Sequence, residues 1–377
     1  MPDAEIIIVG GGPAGLSTAG ALKSIGLDAV VLDKDEGIGG SWARRYERLH
    51  LHTVRAFSGL AHFPIRRDLP KYVSKDLYAK YLQDYAGHFD LKCIMNNPVR
   101  RVRKAQDGRS RDLIVETEGE TWRGRVVVMA TGQFGVPMVP NWPGLDEYQG
   151  SFLHTARYRT GREHAGQRVL VIGVGNSGAE IAADLAEQGA SFVAISIRTP
   201  PPIVPRDLLG IPVQVLGIMM SRLPPRLADQ AGYALARITI GDLTRYGLGR
   251  PAWLPFTSRR IPVIDVGFVK EVKNGRIKIR PNISRFTRKG VLYEDGREEA
   301  FDAVIAATGF ATGLDQVLEM PGLLDAKGLP AYPQGQPTAW PGLFFMGFVE
   351  SHRGQLYEVN LASLRQAKNI QGYLSGL

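Results

Sequence analysis

A single cysteine, Cys93, stands in 377 residues. It excludes an intramolecular disulfide, a dithiol redox centre and a Cys-based zinc site, and it suits a reducing compartment. No metal site is expected. Long apolar runs are also missing. The longest mostly apolar stretch, 208–220, contains Gly and Pro and falls short of the roughly 20 residues that a membrane-spanning helix needs. That stretch is read as a candidate lipid-facing or partner-facing surface patch. The acidic segment Pro2-Asp3-Ala4-Glu5 precedes the first apolar residues where a signal peptide would place a basic region, so no leader and a cytoplasmic location are expected. The net charge is +9, yet Lys and Arg are scattered without a basic block or an aromatic-interleaved stripe. This argues against nucleic acid and for anionic phosphate sites on a solvated basic surface.

Glycine is abundant, with 44 residues, and it is concentrated where it carries chemistry. Residues 6–9, Ile-Ile-Ile-Val, run into Gly10-Gly11-Gly12-Pro13-Ala14-Gly15, then into a helical pattern over 16–25 and a second apolar run at 29–32. The same grammar recurs at 168–172, Gly173-Val174-Gly175-Asn176-Ser177-Gly178, 179–188 and 191–197. Each is a βαβ unit with a G-x-G-x-x-G turn. The first glycine permits the tight turn and the second lets backbone approach a pyrophosphate. The third allows helix and strand to pack closely, and the helix N-terminus stabilises the negative charge.

The two fingerprints differ at the end of their second strand. Asp33, followed by Lys34, offers a carboxylate to ribose hydroxyls in the first. Ile197-Arg198-Thr199 ends the second, and an arginine there suits a ribose 2′-phosphate. FAD is therefore assigned to the first unit and NADPH to the second. Apolar strands also run into Ala-Thr-Gly at 126–132 and 303–309, making Thr131, Gly132, Thr308 and Gly309 candidate cofactor contacts. A less regular region spans 206–262, with a helix expected over about 226–246. The fold class expected is α/β, with two Rossmann-like dinucleotide-binding domains. The NADPH domain, 161–285, is inserted into an FAD domain formed by 1–160 and 286–377.

Between the units lies Tyr148-Gln149-Gly150-Ser151-Phe152-Leu153-His154-Thr155-Ala156-Arg157-Tyr158. This stretch resembles the F-x-G-x-x-x-H-x-x-x-[YF] linker of flavin-containing monooxygenases, with Tyr for the leading Phe. A Baeyer–Villiger linker would end in Trp followed by Pro or Asp, whereas here Tyr158-Arg159 ends it. Over nearly the whole chain the sequence resembles plant YUCCA-type flavin monooxygenases, which convert indole-3-pyruvate to indole-3-acetate. The matching segments include Tyr46-Glu47-Arg48-Leu49-His50-Leu51-His52, Gly175-Asn176-Ser177-Gly178-Ala179-Glu180 and Pro262-Val263-Ile264-Asp265-Val266-Gly267. The resemblance implies that Gly39-Gly40-Ser41-Trp42 and His52 lie along the FAD. It also implies that Gly347-Phe348 closes the flavin end, where many flavoproteins carry an Asp that this chain lacks.

The same resemblance implies NADPH-driven reduction of FAD, reaction with O2 and a C4a-(hydro)peroxyflavin kept from water. Animal-type relatives place an Asn near the flavin ring, and the stretch Leu51-His52-Thr53-Val54-Arg55 offers none. YUCCA-type chains tend to carry a basic residue there, so the resemblance implies Arg55 as the catalytic candidate, a cation for an oxygen anion or a substrate carboxylate. The preferred reaction is oxidative decarboxylation of a 2-oxo acid. N- or S-oxygenation of amines or sulfides stays open, as does an NADPH oxidase or reductase without substrate oxygenation. The expected partners are a small-molecule substrate and O2, without nucleic acid or a membrane span; a homodimer is compatible with the sequence. Arg198→Ala is expected to raise the KM for NADPH about tenfold or more while leaving that for NADH nearly unchanged, since a charge-assisted contact contributes ~1.5–3 kcal/mol. Equal effects on both nucleotides in steady-state kinetics would contradict the 2′-phosphate assignment.

Overall fold

A computed structural model describes residues 3–105 and 112–376. Its frame is one architecture built twice. The first five-stranded sheet runs in the order Leu343–Phe345, Val126–Met129, Ile6–Val9, Val30–Leu32, Lys92–Ile94, and the second in the order Ile277–Arg280, Phe192–Ser196, Arg168–Ile172, Ala303–Ala306, Ser151–His154. Every neighbouring pair in both sheets is parallel. Parallel strands covered on both faces read as continuous apolar runs, which is why Ile6–Val9 and Val126–Met129 are buried at every position.

Side-chain alternation assigns the two faces. Ile6 and Ile8 join the cluster formed with the helices Pro13–Lys23, Lys75–His88 and Gln355–Ser375. Ile7 and Val9 point the other way, into a cluster with Val102, Val115 and Trp122 of an antiparallel three-stranded meander. The second sheet repeats the scheme: Val169 and Val171 pack with the helix Asn176–Glu187. Leu170 and Ile172 pack with Phe286, Val291 and Tyr293 of a second meander. The period of two dictates this division, since successive strand side chains point to opposite faces.

Helix Gln355–Ser375 lies on helix Pro13–Lys23, where Ser17 and Ser363 share a 2.8 Å hydroxyl contact and Thr18 Oγ1 donates to Gln366 Oε1 at 2.9 Å. Cys93 sits half-buried on the edge strand of the first sheet, its thiol pushed up to about 11 by burial. No helix among the described residues is long and apolar enough to cross a membrane.

Sheet membership departs from the expected division of the chain. Ala303–Ala306, expected in the returning FAD part, pairs with Arg168–Ile172, and Ser151–His154, expected in the opening part, pairs with Ala303–Ala306. The chain regains the first sheet only at Leu343–Phe345. We therefore propose that the inserted unit runs from about 150 to about 310. The two Ala-Thr-Gly strands look alike in sequence because each flanks the first strand of its own unit.

Helix 226–246 is also corrected. The helix is Pro225–Thr239, stopped before Gly241 at φ +82°, and a separate helix Val213–Met220 precedes it. In that region the 208–220 run exposes Leu209 and Met219 while Gln214 is buried.

Candidate functional site

Both glycine turns have the same geometry. Gly10 adopts φ +112°, and a Cβ there would lie 2.5 Å from Ala130 O. At Gly173, with φ +98°, a Cβ would lie 2.6 Å from Ala307 O. A Cβ on Gly15 would fall 1.8 Å from Gly10 O, and one on Gly178 would fall 2.1 Å from Gly173 O. These four positions are closed by backbone, so only glycine fits. Around Gly12 and Gly175, in contrast, nothing lies within 4 Å of a Cβ. Each is the N-cap residue of its helix, and neither helix carries an acidic residue in its first turn. Two open, electropositive cradles result, each fit for a pyrophosphate.

Both cradles open onto one cleft of about 1740 Å³. Of the cofactor contacts expected from sequence, all but Gly15, Gly39, Gly40 and Phe348 border it. Gly15 serves packing, and Gly40 lies against the buried Asp35, which pairs with Arg44. Asp33 accepts from the amides of Gly11 and Asp35. Its carboxyl is raised by burial, which those two amide bonds oppose. Trp42 stands edge-on to Tyr78 at 4.7 Å. Gly347, at φ +88°, comes so close to the first helix that a Cβ would lie 2.6 Å from that of Ala14, and its carbonyl accepts from Gln355 Nε2 at 2.9 Å. Arg198 is exposed at the cleft wall and has no ion-pair partner among the described residues. Asn176 turns inward, accepting from Ile264 N at 2.7 Å, so its side chain anchors the neighbouring strand.

Arg55 is not in the cleft wall. Its guanidinium donates to Leu69 O and its amide to Lys71 O at 2.8 Å, which is a structural tie between loops. The catalytic assignment of Arg55 is therefore withdrawn, since sequence gives a residue's charge but not its direction. His154 likewise holds structure together. Its Nε2 lies 3.0 Å from Gly309 O, its Nδ1 accepts from Ala156 N at 3.2 Å, and its ring meets Phe310 edge-on at 4.9 Å. Burial lowers its pKa, against the raising effect of the Gly309 bond, and the neutral ring fits this one-donor, one-acceptor role. At the other end of the linker motif, Tyr158 Oη donates to Asp184 Oδ2 at 2.6 Å.

A row of acids on helix Asn176–Glu187 was not anticipated. Glu180, Asp184 and Glu187 recur at i, i+4 and i+7, one face of a helix. Asp184 holds the linker, also accepting from Gly161 N at 2.9 Å. Glu187 pairs with Arg48. Glu180, 3% exposed, accepts from Tyr46 Oη at 2.8 Å and lies 3.2 Å from His52 Nε2. Tyr46 is pushed well above its ordinary value by burial and then by the Glu180 charge. His52 borders the cleft, and its Nδ1 has no partner among the described residues. Beyond the same loop, buried Gln214 accepts from Val54 N at 2.8 Å and donates to Arg353 O at 2.7 Å. The helical spacing of the acids was the available signal; nothing in the sequence pointed to Gln214.

Comparison with known proteins bears on the family and the fold. The family model described as pyridine nucleotide-disulphide oxidoreductase matches residues 7–201. With one cysteine in the chain, its disulphide chemistry does not carry over. Indole-3-pyruvate monooxygenase YUCCA6 of Arabidopsis thaliana is 37% identical over 91% of this chain and 85% of its own length. A mutant flavin monooxygenase from Stenotrophomonas maltophilia superposes with a TM-score of 0.77 at 25% identity, covering 99% of this chain and all of that one. OTEMO in complex with FAD and NADP shares the fold, with a TM-score of 0.72 at 18% identity over 98% of this chain and 84% of that one.

Paired substitutions separate the glycine roles in the second cradle. Gly178→Ala is expected to lower the melting temperature by several degrees, because its methyl group meets backbone. Gly175→Ala should leave melting unchanged and weaken NADP⁺ about tenfold, ~1.4 kcal/mol, by crowding the ligand. Calorimetry and titration giving the reverse pattern would contradict the cradle.

Proposed function

Because the chain belongs to the YUCCA-type flavin monooxygenases, and is thus an NADPH-dependent flavoprotein oxidoreductase with FAD, we propose that it decarboxylates a 2-oxo acid such as indole-3-pyruvate oxidatively. The balance is one 2-oxo acid, one NADPH, one proton and one O2 giving the carboxylate one carbon shorter, CO2, NADP⁺ and water. The observation that carries the reading is the pair of open glycine cradles facing a single cleft, in a chain whose relative acts on indole-3-pyruvate. FAD, when bound, accepts hydride from NADPH and delivers the electrons to O2.

The chain's own residues do the rest. Gly12 and the N-terminus of helix Pro13–Lys23 hold one pyrophosphate, and Gly175 with helix Asn176–Glu187 holds the other. Asp33 faces the ribose of the first nucleotide, and Arg198 the 2′-phosphate of the second. His52, steadied through Nε2 by Glu180, offers Nδ1 in the cleft to hold or give a proton beside the reacting atoms. Gln214 ties together the walls that keep water out, fixing the 53–54 loop to the start of the last helix.

Aerobic incubation with NADPH and, in parallel, indole-3-pyruvate, phenylpyruvate, trimethylamine and a thioether tests the substrate class. The keto acids are expected to yield arylacetates and CO2 one-for-one with NADPH. Turnover of the thioether or amine with none of the keto acids would overturn the reading, and stoichiometric peroxide with every compound would indicate an oxidase.

A further inference from the structure

Arg45 is the one arginine of the cleft wall that is not exposed, and it has no carboxylate partner among the described residues. The neighbouring cations are already engaged. Arg44 pairs with Asp35, and Arg159 donates to the carbonyls of Ala156 and Tyr158. The Arg45 guanidinium instead lies 5.8 Å from the ring centre of Phe134 and 5.6 Å from that of Phe310. These two rings meet edge-on at 5.7 Å. Phe134 follows the Ala130-Thr131-Gly132 turn of the first unit, and Phe310 follows Ala307-Thr308-Gly309 of the second. The cation therefore sits where the two nucleotide turns face each other.

Desolvating an arginine is unfavourable unless an anion compensates it, and two aromatic faces compensate only in part. Burial lowers the Arg45 pKa, Tyr46 opposes this, and Arg44 and Arg159 add to the lowering. A bound anion would oppose this lowering by direct attraction. Beside the charge, Phe134 is 54% exposed and lines the same cleft. Among the described residues its ring meets only the guanidinium and the Phe310 ring, so free aromatic surface adjoins a planar cation without a carboxylate partner.

We propose that Arg45 and Phe134 form a substrate subsite, in which the Arg45 guanidinium takes the carboxylate of an aromatic acid and the Phe134 ring packs on its aryl group. The inference rests on the 2-oxo acid reading and deepens it by naming the groups that select an aromatic, charged substrate. A guanidinium fork matches a carboxylate in two parallel bonds, a geometry a lysine cannot reproduce. Stacking by Phe134 favours aryl over alkyl side chains.

Anaerobic titration of the oxidised holoenzyme, read by perturbation of the flavin absorbance, tests the subsite without turnover. The probes are phenylpyruvate, its uncharged analogue phenylacetone, and NADP⁺. Arg45→Gln is expected to weaken phenylpyruvate at least tenfold and leave phenylacetone and NADP⁺ within twofold. Arg45→Lys, which keeps the charge, should lose less. Phe134→Ala should weaken phenylpyruvate and phenylacetone alike. Unchanged phenylpyruvate affinity in Arg45→Gln, or a loss confined to NADP⁺, would overturn the subsite while leaving the acid reading intact. Failure of the unmodified enzyme to bind phenylpyruvate at all would overturn the acid reading and the subsite with it.

Discussion

Everything the cleft can do depends on one buried carboxylate and its row-mates on helix Asn176–Glu187. Glu180 belongs to the second unit, and both of its partners, Tyr46 and His52, belong to the first. A carboxylate removed from water is tolerable only with donors in place, and here the donors are supplied by docking. Arg48 repeats the tie two helical turns further on, pairing with Glu187 and donating to Val266 O at 2.6 Å. Asp184, between them, holds Tyr158 of the linker. One helix face thus fixes the loop carrying His52, the linker and the glycine cradle at its own N-terminus. Hydride transfer between two bound nucleotides needs that fixity, because a small displacement of donor from acceptor costs rate steeply.

Duplication explains how a single chain presents two cradles, and divergence explains why they differ. Both units close their glycine turn against an adjacent Ala-Thr-Gly strand and leave the middle glycine open. The departures lie at the end of the second strand, where a half-buried Asp33 bonded to amides stands in one unit and an exposed Arg198, without an ion-pair partner among the described residues, in the other. A second difference concerns the helix row. The first unit's helix is buried along Ala14–Leu22 against the C-terminal helix, whereas the second unit's helix turns its acids toward the first unit.

Local order was legible from the residues alone. Short apolar runs, G-x-G-x-x-G turns and the change of period from two to 3.6 located both βαβ units, because each is a local signal. Partnership across distance was not. Nothing in the run 303–306 says which sheet it joins, and only pairing with Arg168–Ile172 decides it. The linker motif was visible, yet its work as a double pin, His154 on Gly309 and Tyr158 on Asp184, required the fold. Arg55 was chosen for its charge and faces Leu69 O instead. Arg45, ten residues earlier, has the same charge and was passed over. In 206–262 the helical period was blurred by exposed apolar residues such as Met219, Leu227 and Ile238.

We propose that the acid row, by docking the second unit on the first, holds the two glycine cradles in the register that hydride transfer requires. The rate of flavin bleaching on anaerobic mixing with saturating NADPH measures this directly in Glu180→Gln, alongside FAD content and NADP⁺ affinity. The account predicts bleaching slowed at least tenfold, ~1.4 kcal/mol of barrier, with FAD content and NADP⁺ affinity within twofold of the unmodified enzyme. An unchanged bleaching rate in a variant that has lost the Tyr46 and His52 contacts would contradict it.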